Sequence, residues 1–312
     1  SLEVCQVSPA NYTLDFSDVT ISPTYSSSPF VPQSYLWEVY ESDGVTPASN
    51  FTFLDTNGAS LEFPRINFTA YGTYVIRVTV DGECGGSSTD DFTFTLKQAP
   101  EITNTSLTET ICSDDFISSI NLTSDIVGTT FTWTASTSDS ITGFPIGEQQ
   151  GDQIPAFQLT NDCNTTGVVT VDVTPTFEGC DGEVVSFQFT VNPKPAVNDI
   201  ALEVCSGVSF TADLQNDCTI GDIIPANTTY VWGVLSISGT VTGVQLSDTG
   251  SGFVTDTIEN TTPSDVIVVY EVVPTSDLGC IGDPFLITVT INPEPVVLDQ
   301  TLTVCSDEVI SY

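Results

Sequence analysis

The residues in this chain best equipped for chemistry are its nine cysteines. A thiolate can attack a carbon centre, bind a soft metal or join a second sulfur, and spacing and company decide among the three. Cys5, Cys112, Cys205 and Cys305 recur about every 100 residues, and Cys84, Cys180 and Cys280 recur with the same period. A nucleophilic cysteine or serine needs a base, and the chain has no histidine, which excludes the histidine-dependent triads. Zinc favours closely spaced Cys and His ligands, and no C-x-x-C pair occurs. The pattern therefore predicts disulfides and an oxidising, extracellular setting. Cys163 and Cys218 stand outside the repeat, each ending an Asn-Asp-Cys phrase.

The carboxylates are the second candidate. Asp and Glu total 41 against 4 Lys and Arg, a formal net charge of −37. A pair of them could serve a glycosidase, but Asp90, Asp91, Asp114, Asp115, Asp181 and Glu183 sit in predicted turns and read as solvated surface. Calcium is the one metal such oxygens suit, with "STDDF", "DGEC" and "CSDD" as the places for it. No EF-hand pattern accompanies them, and no cofactor is expected. The acidity excludes nucleic acid as a partner. No apolar run approaches 18 residues, so no direct membrane insertion is expected.

These residues need elements to hold them. "TVNPKPAVNDIALEVCSG" from Thr190 and "TINPEPVVLDQTLTVCSD" from Thr290 are the same phrase 100 residues apart. With Trp37, Trp133 and Trp232 as further markers, the chain divides into units at 1–98, 99–193 and 194–293, followed by the start of a further repeat at 294–312. The unfinished fourth copy predicts a slice of a longer array. A period this long denotes whole domains in series rather than a solenoid. Within units, Phe285, Ile287, Val289 and Ile291 alternate with Leu286, Thr288 and Thr290, and Phe187, Phe189 and Val191 follow the same rule. Period-two alternation with turn clusters such as "EGCDG" and "LGCIGDP" predicts half-buried strands and hairpins. The fold class is all-β, a tandem array of immunoglobulin-like β-sandwiches. Each Trp has two readings, a buried core residue of the third strand or a platform for stacking carbohydrate; one per unit at one position favours the core. The joints "NPKP" and "NPEP" are expected to be stiff and extended, because Pro fixes its own φ and restricts its predecessor.

The order "VCSG…F…DIIPANTTYVW…NTT…VVYEVVPTS…GC…F.ITVTINPEP" over residues 204–295 resembles the PKD-like repeats of giant cell-surface adhesins of Bacteroidetes, a group that includes adhesins of gliding motility. The second unit keeps "ICSD", "TFTW", "VTPTFEGC" and "VNPKP"; the first keeps Cys5, Trp37 and Cys84 but ends "LKQAP". The resemblance implies a PKD-like sandwich in each unit, export by the type IX secretion system and a place at the cell surface. It also brings in that phylum's O-glycosylation motif, Asp-Ser/Thr-aliphatic, which Ser140 and Thr257 match. Eight N-x-S/T sequons, Asn260 among them, read as composition and strand-end chemistry.

Two pairings of the repeated cysteines stand open. Pairing within units gives Cys5–Cys84, Cys112–Cys180 and Cys205–Cys280. In a sandwich, however, each early Cys precedes the second strand and each late Cys lies on the last hairpin, at opposite ends roughly 25–30 Å apart, whereas a disulfide needs Cα atoms within about 7 Å. An end-to-end array instead places an early Cys against the late Cys of the next unit, giving Cys5–Cys180 and Cys112–Cys280. Cys163 follows a fifth strand and Cys218 a second strand, so both face the "NPKP" joint and are expected to pair across it.

The function this predicts is a non-enzymatic stalk or filament segment of a large secreted adhesin. Its partners would be the neighbouring repeats, with surface polysaccharide or cell-surface motility machinery beyond them. The alternative is a set of glycan-binding accessory modules of a secreted carbohydrate-active enzyme.

Overall fold

The computed structural model describes residues 1–17, 32–82, 85–137, 140–250 and 255–295. Cys84, Cys305 and nearly all of the expected fourth repeat lie outside them. Three hydrophobic cores follow one another along the chain, built from residues within 2–96, 102–191 and 197–291.

The first unit contains β1 (Leu2–Gln6), β2 (Tyr12–Asp15), β3 (Pro32–Glu41), β4 (Phe51–Phe53), β5 (Arg65–Phe68), β6 (Gly72–Gly82) and β7 (Ser87–Gln98). One sheet has the order β1-β7-β6-β3 and the other β2-β5-β4. Among the described residues of this unit, only β1 and β7 pair in parallel. The second unit repeats the larger sheet with β8 (Thr108–Cys112), β9 (Thr130–Thr137), β10 (Gly167–Phe177) and β11 (Val185–Asn192). The third repeats it with β12 (Ile200–Cys205), β13 (Thr229–Ile237), β14 (Val266–Thr275) and β15 (Phe285–Asn292). Again the first strand runs parallel to the last, β8 beside β11 and β12 beside β15. This is an all-β tandem array of immunoglobulin-like sandwiches.

Alternation dictates the long strands. In β15, Phe285, Ile287, Val289 and Ile291 are buried while the residues between them lie nearer solvent. In β11 the buried set is Phe187, Phe189 and Val191, and in β7 it is Phe94 and Leu96. The opposite sheets of the later units are fragmentary. Ile120–Asn121 pairs with Gln153–Ile154 and Ile141–Thr142 with Thr160–Asn161; Ser209–Thr211 pairs with Thr255–Thr257 and Val241–Thr242 with Glu259–Asn260. Seven regular strands are thus a description of the first unit, not of the other two.

Trp37, Trp133 and Trp232 lie on β3, β9 and β13 with relative exposures of 4%, 4% and 6%. Trp37 packs on Phe16 at a centroid distance of 4.5 Å, and its Nε1 donates to the Leu61 carbonyl at 2.8 Å. Trp232 meets Tyr270 edge-on at 5.5 Å. The carbohydrate-stacking reading is corrected here, because no ring face is left for a sugar.

Candidate functional site at the joints between units

The cysteines converge where one unit meets the next. Cys5 stands opposite Lys97 in the parallel β1–β7 register, Cys112 opposite Asn192 in β8–β11, and Cys205 opposite Asn292 in β12–β15. All three mark the end of a unit at which its last strand leaves. Cys180 pairs opposite Phe177 on the hairpin between β10 and β11, and Ile281, beside Cys280, bridges Thr275 on the hairpin between β14 and β15. Those hairpins form the entry ends of the second and third units. The structure joins Cys5 to Cys180, with Cα atoms 5.5 Å apart, and Cys112 to Cys280, 5.6 Å apart. The within-unit set Cys5–Cys84, Cys112–Cys180 and Cys205–Cys280 is therefore corrected: Cys5, Cys112, Cys180 and Cys280 are committed to the bonds between units, because in the second and third units the early and late cysteines lie at opposite ends, farther apart than a disulfide spans. Cys180 and Cys280 are fully buried at the joints. Cys205 is an exposed free thiol.

The residues around each disulfide repeat as well. Cys180-Asp181-Gly182 and Cys280-Ile281-Gly282 share a glycine two positions on. A Cβ at Gly182 would run into the carbonyl oxygen of Pro100, and one at Gly282 into that of Pro195. Each glycine N–H donates to its own hairpin, to Pro175 O and Pro274 O at 2.8 Å. The joint backbone thus lies directly on the hairpin. Two of the chain's four basic residues are spent here. Lys97 Nζ reaches Glu3 at 2.9 Å within the first unit and the Glu178 carbonyl at 3.3 Å in the second. Lys194 Nζ reaches Asp283 at 3.1 Å. Gln98 Nε2 donates across the first joint to Asp125 Oδ2 at 3.0 Å. Asn192 and Asn292 end β11 and β15, so each proline joint begins as a direct extension of a strand.

The second joint carries another bond, Cys163–Cys218, with Cα atoms 5.3 Å apart. Cys163 lies between Thr160–Asn161 and β10; Cys218 lies in a turn in which Asp217 bridges Asp222. The preceding Asn161 is 3% exposed and organises this end. Its Nδ2 donates to Thr165 O at 2.8 Å and Val191 O at 3.0 Å, while its backbone N–H donates to Ser113 Oγ at 2.9 Å. The third unit repeats the set: Asn260 Nδ2 donates to Ser264 O at 2.8 Å and Ile291 O at 2.9 Å, and its N–H donates to Ser206 Oγ at 3.0 Å. Asn260 was one of the sequon residues, but its amide is enclosed and committed. The Cys-x-Gly and Asn/Ser repeats escaped sequence reasoning, although both are visible as repeated letters.

Elsewhere the surface is less organised. Ser140 is exposed ahead of Ile141–Thr142, and Thr257 is exposed at the end of Thr255–Thr257. Asp90, Asp91, Asp114, Asp115, Asp181 and Glu183 are exposed. Among the described residues no group of three Asp, Glu or Cys could hold a metal ion. A hydrogen-bonded guanidinium holds two carboxylates below their usual range, Arg77 for Asp91 and Arg65 for Asp55. An open groove of about 640 Å³ on the second unit is lined by hydroxyl, amide and carboxylate groups. They largely satisfy one another, as in Glu109 with Ser118 and Thr103 with Thr123, and no aromatic ring lines it.

Known proteins show similarity of two kinds. A fragment of the titin I-band, I67–I69, is 9% identical, covering 95% of this chain and 96% of its own, with a TM-score of 0.42. The insect immune protein hemolin is 17% identical, covering 93% and 73%, with a TM-score of 0.32. Protocadherin gammaB7 EC3–6 is 10% identical, covering 91% and 77%, with a TM-score of 0.35. Similarity of this order supports no inference about function. No curated protein matches the chain. The description of the PKD-like domain family matches residues 109–195 and 202–295, more than half of the chain. With that match the chain belongs to the PKD-like domain family.

Proposed function

We propose that the chain is a structural segment of the stalk of a large secreted cell-surface adhesin, a rod of sandwiches that holds a binding region away from the cell. The observation that carries this reading is the pair of equivalent disulfides, Cys5–Cys180 and Cys112–Cys280, each tying one unit to the next beside the peptide link. Such bonds suit an oxidising exterior. A net charge of −37 keeps such rods apart in solution. Its immediate partners are the neighbouring repeats, and the role in adhesion or gliding, with surface polysaccharide or motility machinery as outer partners, rests on the resemblance to Bacteroidetes adhesins. Burial of all three tryptophans counts against the glycan-module alternative. Small-angle scattering tests the proposal. A rod roughly 110 Å long, three domains of roughly 35–40 Å each, is expected; a compact particle overturns it.

A further inference from the structure

We propose that the array carries tension along two covalent tracks that bypass most strands of its sandwiches. The inference rests on the stalk reading and specifies how such a stalk would resist being pulled.

The first track begins in β1, leaves it at Cys5 and crosses by disulfide to Cys180. Cys180 lies on the hairpin's return side, so the path continues into β11, not β10. From β11 the chain runs through Pro193 and Pro195 into β12 and reaches Cys205. The second track comes from β7 through the Pro100 joint into β8, leaves at Cys112, crosses to Cys280 and enters β15. Within each unit the two tracks are the parallel first and last strands, hydrogen-bonded side by side. Each joint is therefore crossed by one peptide link and one disulfide of the repeated set.

The consequence is a short route through a long chain. From Leu2 to Cys205 the first track uses residues 2–5 and 180–205 and omits 6–179. That route is already mostly strand. Its limiting contour is about 110 Å at the extended rise per residue. In tandem sandwiches without such bonds, pulling that breaks the first-to-last strand contact frees the whole domain. Here the strands that would separate are tied to their neighbours, and β2–β6, β9, β10, β13 and β14 hang beside the tracks without being stretched.

The test is single-molecule pulling of the full chain between its N-terminus and the exposed thiol of Cys205, with Cys84→Ser and Cys305→Ser so that one thiol takes the handle. Without reductant, no unfolding steps are expected before the handles detach. Cys5→Ser with Cys180→Ser opens the track and keeps Cys205 as the thiol for the handle. The shortest remaining path then runs along residues 1–163 and returns through Cys163–Cys218, so unfolding should release an approximately sixfold longer limiting contour, about 630 Å. Adding a phosphine reductant to the unsubstituted track while it is held under force opens all three disulfides and releases the whole of residues 1–205, a limiting contour of about 730 Å, after folding is complete, which covers a variant that folds poorly. Unfolding steps of hundreds of ångströms in the unreduced, Cys5-containing chain overturn the proposal. A rod in scattering that yields such steps refutes the tracks alone, whereas a compact particle refutes the stalk.

Discussion

Gly182 lies against Pro100 so closely that a Cβ on the glycine would strike the proline's carbonyl oxygen. The contact joins the entry hairpin of the second unit to the chain arriving from the first, and Gly282 repeats it with Pro195. Gly182→Ala and Gly282→Ala should each cost about 1–3 kcal/mol through forced backbone displacement. Gly86, the corresponding residue of the first unit, has nothing within 4 Å of its Cβ position, so Gly86→Ala should stay within about 0.5 kcal/mol of the parent. Denaturant midpoints of the three variants measure this.

The buried Asn161 and Asn260 should dominate the polar contribution at their ends. Asn161→Ala removes three side-chain hydrogen bonds and Asn260→Ala four, and each leaves an enclosed carbonyl, of Val191 or Ile291, without its amide donor. A loss of about 2–4 kcal/mol is expected for each. Since Asn260 Nδ2 is committed, its sequon should remain unmodified in a glycosylating host, as intact mass would show.

The second joint should be the stiffer one, because Cys163–Cys218 adds a second inter-unit staple there. Cys163→Ser with Cys218→Ser should lower stability by up to about 4 kcal/mol in the chain-entropy picture. It should also widen the distribution of angles between the second and third units in electron micrographs, leaving the first joint unchanged. Replacing Pro193 and Pro195 with Gly should widen the same distribution by freeing φ.

Acid should weaken the first unit through its ion pairs. The depressed pKa of Asp91 beside Arg77 and of Asp55 beside Arg65 means that the folded state holds these protons less readily than the unfolded chain. Their contribution is complete above the ordinary Asp pKa and is lost as pH falls through the lowered folded values. Both carboxylates are close to solvent, so the effect is modest. Urea midpoints of the first unit should decline between about pH 5 and pH 2, and Asp91→Asn should flatten that decline.

The sandwich architecture was legible because it rests on local alternation. Phe285, Ile287, Val289 and Ile291 announce which face of β15 is buried, and a Trp at one place in each unit announces the core. The joints were legible only as far as topology could be projected from those strands, and so two cysteine pairings stood open until the ends of the units were located. Gly182 and Gly282 looked like ordinary turn glycines, since the carbonyl that excludes a side chain belongs to a proline some 80 residues away in sequence. The amide of Asn260 read only as composition and strand-end chemistry for the same reason: its partner Ile291 is distant in sequence. The short pairs around Ile141–Thr142 and Val241–Thr242 have too few residues for a period to show.

The account's central claim is that the units are stapled to one another and not within themselves, and peptide mapping of the unreduced protein tests it most directly. Digestion with thiols blocked beforehand should yield three linked species, Cys5 with Cys180, Cys112 with Cys280 and Cys163 with Cys218, with Cys205 recovered in blocked form. A peptide linking Cys112 to Cys180 would contradict it.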